Sequence, residues 1–226
     1  MNLLIVDTET AKLNGNACEI ASLWVDLKDG FLEEGGLSCE RFDPKQPFDF
    51  GAIATHHITP DMVDGCRPHN EYTLPDNTVY IVGHNVDYDA AVLQRAGVDL
   101  SSVKLICTLA MARKLYPELD SHTLGALMYF LHDDWEFVRN ELKNAHSAAA
   151  DVMFTSWILR KMVQNPAIKD AEELYQFSEL CRVPDRMTFG KHKGMLIKDL
   201  PFDYRRWLLN QPDLDKYWRK ALSEVV

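Results

Sequence analysis

The chain has 226 residues, 46% of them hydrophobic and 26% charged. That balance excludes fibrous, collagen-like and wholly disordered classes and allows one large domain, or one domain with a small appendage. With 24 Lys+Arg against 34 Asp+Glu the formal net charge is −10, which taken alone counts against a polyanionic partner, since phosphate contacts favour basic proteins. Clustered carboxylates that hold divalent cations meet phosphate by another route. The charge is also uneven: residues 182–226 carry 10 Lys+Arg and 6 Asp+Glu, which places any basic surface toward the C-terminus. The five cysteines are scattered and form no CxxC pair, a pattern of buried free thiols rather than of a zinc site or disulfide framework. The opening MNLLIVDTET is too short an apolar run for a signal peptide. No stretch approaches the roughly 18 apolar residues of a membrane span. The expectation is a cytoplasmic protein with no membrane partner.

Residues 3–6 form a short continuous apolar run, the pattern of a strand buried on both faces. Residues 18–27, with Ile20, Leu23, Trp24 and Val25, and residues 36–42 are the next strand candidates. Asp29-Gly30 between them is a turn signal, so the opening reads as three consecutive antiparallel strands. Residues 44–66, broken by Pro44, Pro47 and Pro60, are expected to carry short helices. A fourth strand is expected at 78–82, a helix at 87–96 from the spacing of Tyr88, Ala91, Val92 and Arg95, and a fifth strand at 103–107. Helices follow at 109–115, 123–131 and 148–164, with a boundary at Asn165-Pro166. Strands first, then strands alternating with helices, predict an α/β fold with a mixed five-stranded sheet flanked by helices. Residues 1–165 form the main domain in this reading. Residues 166–226 form a small C-terminal extension with helices at 171–181, 204–210 and 214–225.

Three acidic signals stand out. Asp7 and Glu9 are two apart on a strand and so share a face. Two like charges that close repel unless a cation lies between them; ordinary strand-end acids are the bland alternative. The second signal is Gly83-His84-Asn85-Val86-Asp87-Tyr88-Asp89, which follows a buried strand and opens a helix. If that strand runs parallel to the first, Asp89 lies beside Asp7 at the carboxyl edge, where open α/β sheets bind ligands. Asp87 is a competing candidate that equally suits a helix cap, and His84 and Asn85 suit loop-fixing hydrogen bonds. The third signal runs from His146 to Asp151. Five residues turn a helix by about 500°, so the two do not share a helical face. His146 is therefore expected on the loop or first turn, above an inward-pointing Asp151.

The order and contexts of these three signals resemble the DEDDh exonuclease family, which has an RNase H-like fold. DxE, HNxxYD and HxxxxD stand here as Asp7-Thr8-Glu9, His84 to Asp89, and His146 to Asp151. A sister subfamily has tyrosine four residues before the last aspartate; Ser147 holds that position here. The resemblance covers residues 1 to about 165. It implies a 3′–5′ exonuclease in which Asp7, Glu9, Asp89 and Asp151 hold two divalent cations, Mg²⁺ or Mn²⁺. His146 would act as general base, a role suited to histidine's ordinary pKa. Thr10, Leu13 and Asn85 would contact the terminal nucleotide, and so would His56 in His56-His57-Ile58-Thr59, where the family often reads His-Gly-Ile-Thr. At the first motif the family commonly reads DTETTGL; Ala11 and Lys12 replace Thr and Gly here, at a cost in backbone freedom.

The pattern Phe189-Gly190-Lys191-His192-Lys193-Gly194, Asp199-Leu200-Pro201 and Tyr204-Arg205-Arg206-Trp207-Leu208 resembles the C-terminal segment of exonuclease X-like proteins. That implies DNA as the partner, single-stranded or at the 3′ ends of a duplex, and a role in DNA repair or end processing. Lys191, Lys193, Arg205, Arg206, Arg219 and Lys220, with Phe189, Tyr204, Trp207 and Trp218, suit a stacking and phosphate-tracking surface. They equally suit an aromatic mini-core with a solvated rim. RNA trimming on the same fold and a polymerase-associated proofreading role are the alternatives; motifs do not separate DNA from RNA, because that discrimination rests on 2′-OH contacts. Protein partners are not legible in the sequence.

Overall fold

The computed structural model describes residues 2–164 and 168–224. Its chain divides into two compact units, residues 1–178 and 179–226. The predicted boundary at Asn165-Pro166 lies outside the described residues. Among the described residues the first unit carries a five-stranded sheet in the order β3-β2-β1-β4-β5. The strands are β1 (Leu3–Thr10), β2 (Ala17–Lys28), β3 (Phe31–Arg41), β4 (Tyr80–Gly83) and β5 (Lys104–Cys107). β1, β2 and β3 pair antiparallel, whereas β4 runs parallel to β1 and β5 parallel to β4. This is the mixed RNase H-like sheet that the sequence predicts.

Local chemistry sets the strand ends. Asp29 and Gly30 have φ of 51° and 79°, the two left-handed residues of a tight hairpin whose twist matches the strands. Pairing therefore resumes at once, Lys28 opposite Phe31, and β3 begins five residues before the predicted position 36. β3 is an edge strand, and Glu33, Glu34, Glu40 and Arg41 along it discourage pairing with another chain.

The helices of the first unit are α1 (Phe50–His56), α2 (Val86–Arg95), α3 (Thr108–Leu115), α4 (Leu124–Leu131), α5 (Trp135–Glu141) and α6 (Ala148–Gln164). α5 is absent from the sequence reading. Its single buried residue is Val138, so it has no apolar stripe, and Asp134 starts it by accepting the Phe137 N–H. α2 packs on β1, β4 and β5, and α6 crosses β1, β2 and β3. Leu4 and Val6 share a core with Val86, Ala90 and Leu93 of α2. By strand alternation Asp7 and Glu9 lie on the other face of β1. α6 buries Val152, Ile158, Leu159, Met162 and Val163, each stabilising by about 1.5–3 kcal/mol, which fixes Asp151 on a rigid support. Of the cysteines, Cys18, Cys107 and Cys181 are buried free thiols, whereas Cys39 is exposed on the edge strand, contrary to the expectation that all five are buried.

α7 (Ala171–Arg182) runs from the first unit into the second. The second unit contains α8 (Phe202–Leu209) and α9 (Lys216–Ser223). Its own core is Met187, Ile197, Leu200, Leu208, Ala221 and Leu222. Gly190 and Gly194, at φ 68° and 88°, make the predicted turns. Arg219 is not a free phosphate contact: its guanidinium donates to the carbonyls of Leu209, Gln211, Pro212 and Leu214, tying α9 to the end of α8. Phe189 stacks edge-on against Trp218 at 5.0 Å, and Lys191 Nζ sits 5.3 Å from the Tyr204 ring. Trp207 remains 53% exposed.

Candidate active site

Asp7 and Glu9 project from β1 toward α6, where Asp151 sits in the first turn, buried. Because β4 is parallel to β1 and stops at Gly83, the next segment turns at the carboxyl edge and starts α2 beside Asp7. Gly83 makes the approach possible: a Cβ there would lie 3.3 Å from Asp89 Oδ2 and 3.1 Å from the Val86 Cα. Asp89 is buried and accepts a 2.8 Å hydrogen bond from the Thr8 hydroxyl. Asp87, the competing candidate, is exposed on the same turn.

His146 occupies the turn before α6, as expected, with a left-handed φ of 65°, and is exposed. Asn85, at the start of α2, is likewise left-handed at φ 76°, and its side chain makes no capping bond. Ligand atoms of Glu9, His146 and Asp151 all lie within 4.8 Å of one another, close enough to hold one cation.

The electrostatics follow from this crowding. Burial and then the charges of Asp89, Asp151 and Glu9 push Asp7 well above the usual carboxylate range. Burial and the Asp151, Glu19 and Asp89 charges raise Glu9 to about 8. Burial takes Asp89 up to about 7 against the pull of the Thr8 hydrogen bond. It takes Asp151 to about 6, with the His146 charge and main-chain N–H opposing. Four carboxylates that resist ionising together are a donor set suited to divalent cations, which remove the repulsion and prefer hard oxygen ligands.

The predicted nucleotide contacts fare differently. Leu13 is 80% exposed beside the β1 end and Asn85 is exposed at the α2 start, both open to a ligand. Thr10 is buried; its hydroxyl donates to the Lys12 carbonyl and accepts from the Tyr88 hydroxyl. His56 is buried with both ring nitrogens taken. Nε2 donates to the Thr10 carbonyl at 3.2 Å and Nδ1 accepts the Ile58 N–H at 3.0 Å. These bonds make the His56 ring fix α1 and its following loop to the β1 end. His57, in the glycine position, is left-handed at φ 59°. Lys12, in the other glycine position, does not have a positive φ; Asn14 carries that turn at φ 57°.

Several residues that build the site escape sequence reasoning. Glu19 lies opposite Glu9 in the β1–β2 register. It is buried, pairs with Arg41 at 3.2 Å and accepts the Ala148 N–H at 3.1 Å at the start of α6. A charged residue inside an otherwise β-prone run was its one signal. His84 is fixed by Thr108 and the His122 carbonyl, at 3.0 and 2.8 Å, and burial lowers its pKa to about 4. Nothing local announces Thr108 or His122.

The chain matches no family model. It is 29% identical over 216 residues to Exodeoxyribonuclease 10 of Escherichia coli (strain K12), spanning 93% of this chain and 92% of that protein. It is 28% identical over 200 residues to the DNA polymerase III PolC-type of Latilactobacillus sakei subsp. sakei (strain 23K), covering 83% of this chain but 13% of that polymerase. Among solved structures, exonuclease X in complex with 5′ overhanging duplex DNA superposes with a TM-score of 0.61 and 26% identity, covering 78% of this chain and 99% of that one.

Proposed function

We propose that this chain is a 3′–5′ exonuclease of the DEDDh type that acts on the 3′ ends of DNA, hydrolysing one phosphodiester at a time and releasing nucleoside 5′-monophosphates, as its similarity to Exodeoxyribonuclease 10 and to exonuclease X supports. What supports the proposal is the gathering of Glu9, His146 and Asp151, whose ligand atoms lie within 4.8 Å of one another, with Asp7 on the same strand face as Glu9 and the buried Asp89 at the start of α2. The chemistry is metal-dependent, and Mg²⁺ is the proposed ion because carboxylate oxygens are its preferred ligands. Two such ions would supply Lewis acidity to the attacking water and to the departing 3′-oxygen. Asp7, Glu9, Asp89 and Asp151 would hold them. His146, on its turn outside the sheet, takes the proton of the attacking water at a ring nitrogen. Leu13 and Asn85 meet the terminal nucleotide from the open side of the β1 and α2 ends.

The folded second unit adds to this reading. Trp207 and Phe189 are partly exposed, and Lys191 Nζ sits 5.3 Å from the Tyr204 ring that packs against Trp207 at 5.4 Å, a combination of base-stacking faces and a cation that suits nucleic acid. Among the described residues no helix is long and apolar enough to cross a membrane; a cytoplasmic location is part of the proposal.

The test is mononucleotide release from matched 5′-labelled DNA and RNA in Mg²⁺, Mn²⁺ or EDTA. Metal-dependent shortening of DNA from the 3′ end is expected, and faster shortening of RNA would replace DNA as the substrate. His146→Ala is expected to lower kcat by about 10²–10⁴-fold; near-normal hydrolysis by that variant would remove His146 from the mechanism.

A further inference from the structure

A cavity of about 750 Å³ opens beside the carboxylates, with His146 and Asp151 in its lining. Its size is that of a small-molecule site, about 300–1,000 Å³. Leu109, Leu124, Leu142 and Phe154 give it apolar walls. None of Thr10, Leu13 and Asn85 lines it, so it is separate from the surface proposed for the terminal nucleotide. The polar groups around it are mostly committed. Both His84 nitrogens are hydrogen-bonded, His122 Nε2 donates to the Tyr116 carbonyl, and Thr123 caps α4. Arg113, near the end of α3, is the exception. It is exposed in the cavity wall with no ion-pair or hydrogen-bond partner among the described residues, although Asp120 shares the cavity. An uncommitted guanidinium recognises a phosphate well, because its planar fork offers paired N–H donors.

We infer that this cavity takes the nucleotide on the 5′ side of the scissile bond, with its sugar and base against the leucine walls and its own phosphate on Arg113. The inference rests on the exonuclease reading and deepens it. With the last nucleotide by Leu13 and Asn85 and the scissile phosphate over the carboxylates, a route for the rest of the strand opens past His146 and Asp151, which line the cavity. The cavity begins there. Asp120 opposes the incoming phosphate and sets the sign of a second variant.

The discriminating probe is thymidine 5′-(p-nitrophenyl phosphate), in which nitrophenol replaces the departing nucleotide. In the full chain with Mg²⁺, the ratio of kcat/KM on a DNA oligonucleotide to that on the ester is measured. Arg113→Gln should lower this ratio about ten-fold, the value of one charge-assisted phosphate contact. Arg113→Lys should recover part of it, and Asp120→Asn should raise it. The slope of log KM against log salt on the oligonucleotide should fall by about 0.7–1 in Arg113→Gln. An unchanged ratio in Arg113→Gln, or shifts of the same sign in Arg113→Gln and Asp120→Asn, would overturn the assignment while leaving the exonuclease reading intact. If the unsubstituted chain cleaves neither substrate, that reading fails and takes this one with it.

Discussion

Thr8 sits between the two acids of β1 and points to the opposite face, where its hydroxyl donates to Asp89 at 2.8 Å. It contributes no ligand atom, yet it orients one carboxylate oxygen and opposes the rise in that group's pKa. If Asp89 holds a metal ion as proposed, a hydrogen-bond partner of this kind typically changes metal affinity by about 10–100-fold. Thr8→Val keeps the shape and removes the donor. It is expected to raise the Mg²⁺ concentration for half-maximal activity by at least about ten-fold, read from a metal titration at fixed pH. His56 teaches a related lesson about motifs. A histidine in the right motif position is here consumed by the backbone of the Thr10 and Ile58 segments, which only its surroundings reveal.

At the scale of elements, the site is the meeting of one strand edge with two helix starts. β1 and β4 end together because they are parallel, and the start of α2 is drawn close because Gly83 has no side chain. α6 is fixed at its start by Glu19 from the neighbouring strand, which accepts the Ala148 N–H and adds negative charge at the positive end of the helix dipole. Glu19→Gln keeps one acceptor and loses the charge. With Arg41 42% exposed, solvent screens much of the ion pair, and the expected loss is about 1 kcal/mol. A urea midpoint measured with and without Mg²⁺ checks it, and an unchanged midpoint would mean that α6 is held by packing alone.

For the whole molecule, the net charge of −10 includes carboxylates gathered at one place, where the charges of Asp89, Asp151 and Glu9 bear on Asp7. The same gathering couples stability to pH. Carboxylates raised to about 8, 7 and 6 at Glu9, Asp89 and Asp151 hold protons more tightly in the folded chain than in the unfolded one. Their contribution to stability is complete below the ordinary carboxylate pKa near 4 and is lost as pH rises through about 6 to 8. The metal-free protein should therefore melt at progressively lower temperature from pH 5 to pH 8. Mg²⁺ should raise Tm more at pH 8 than at pH 6, because ions and protons compete for the same oxygens. A flat profile in EDTA would show that the carboxylates do not constrain one another. In the second unit, Lys191→Ala with Trp207→Ala should raise KM on long DNA and leave that unit's core, Met187 to Leu222, folded; equal KM values would assign these side chains to the rim alone. The sequence by itself determined what is local. The shared face of Asp7 and Glu9, the Asp29-Gly30 turn, the strand-then-helix setting of Asp89 and the loop position of His146 all follow from spacing and turn chemistry within a few residues. Tertiary structure alone decided which groups complete the site. Thr8 meets Asp89 across 81 residues and Glu19 meets Ala148 across 129. The occupied ring of His56 and the carbonyl-bound Arg219 were equally hidden. A side chain's partners in a packed fold are set by which elements come together, and no short stretch of sequence carries that.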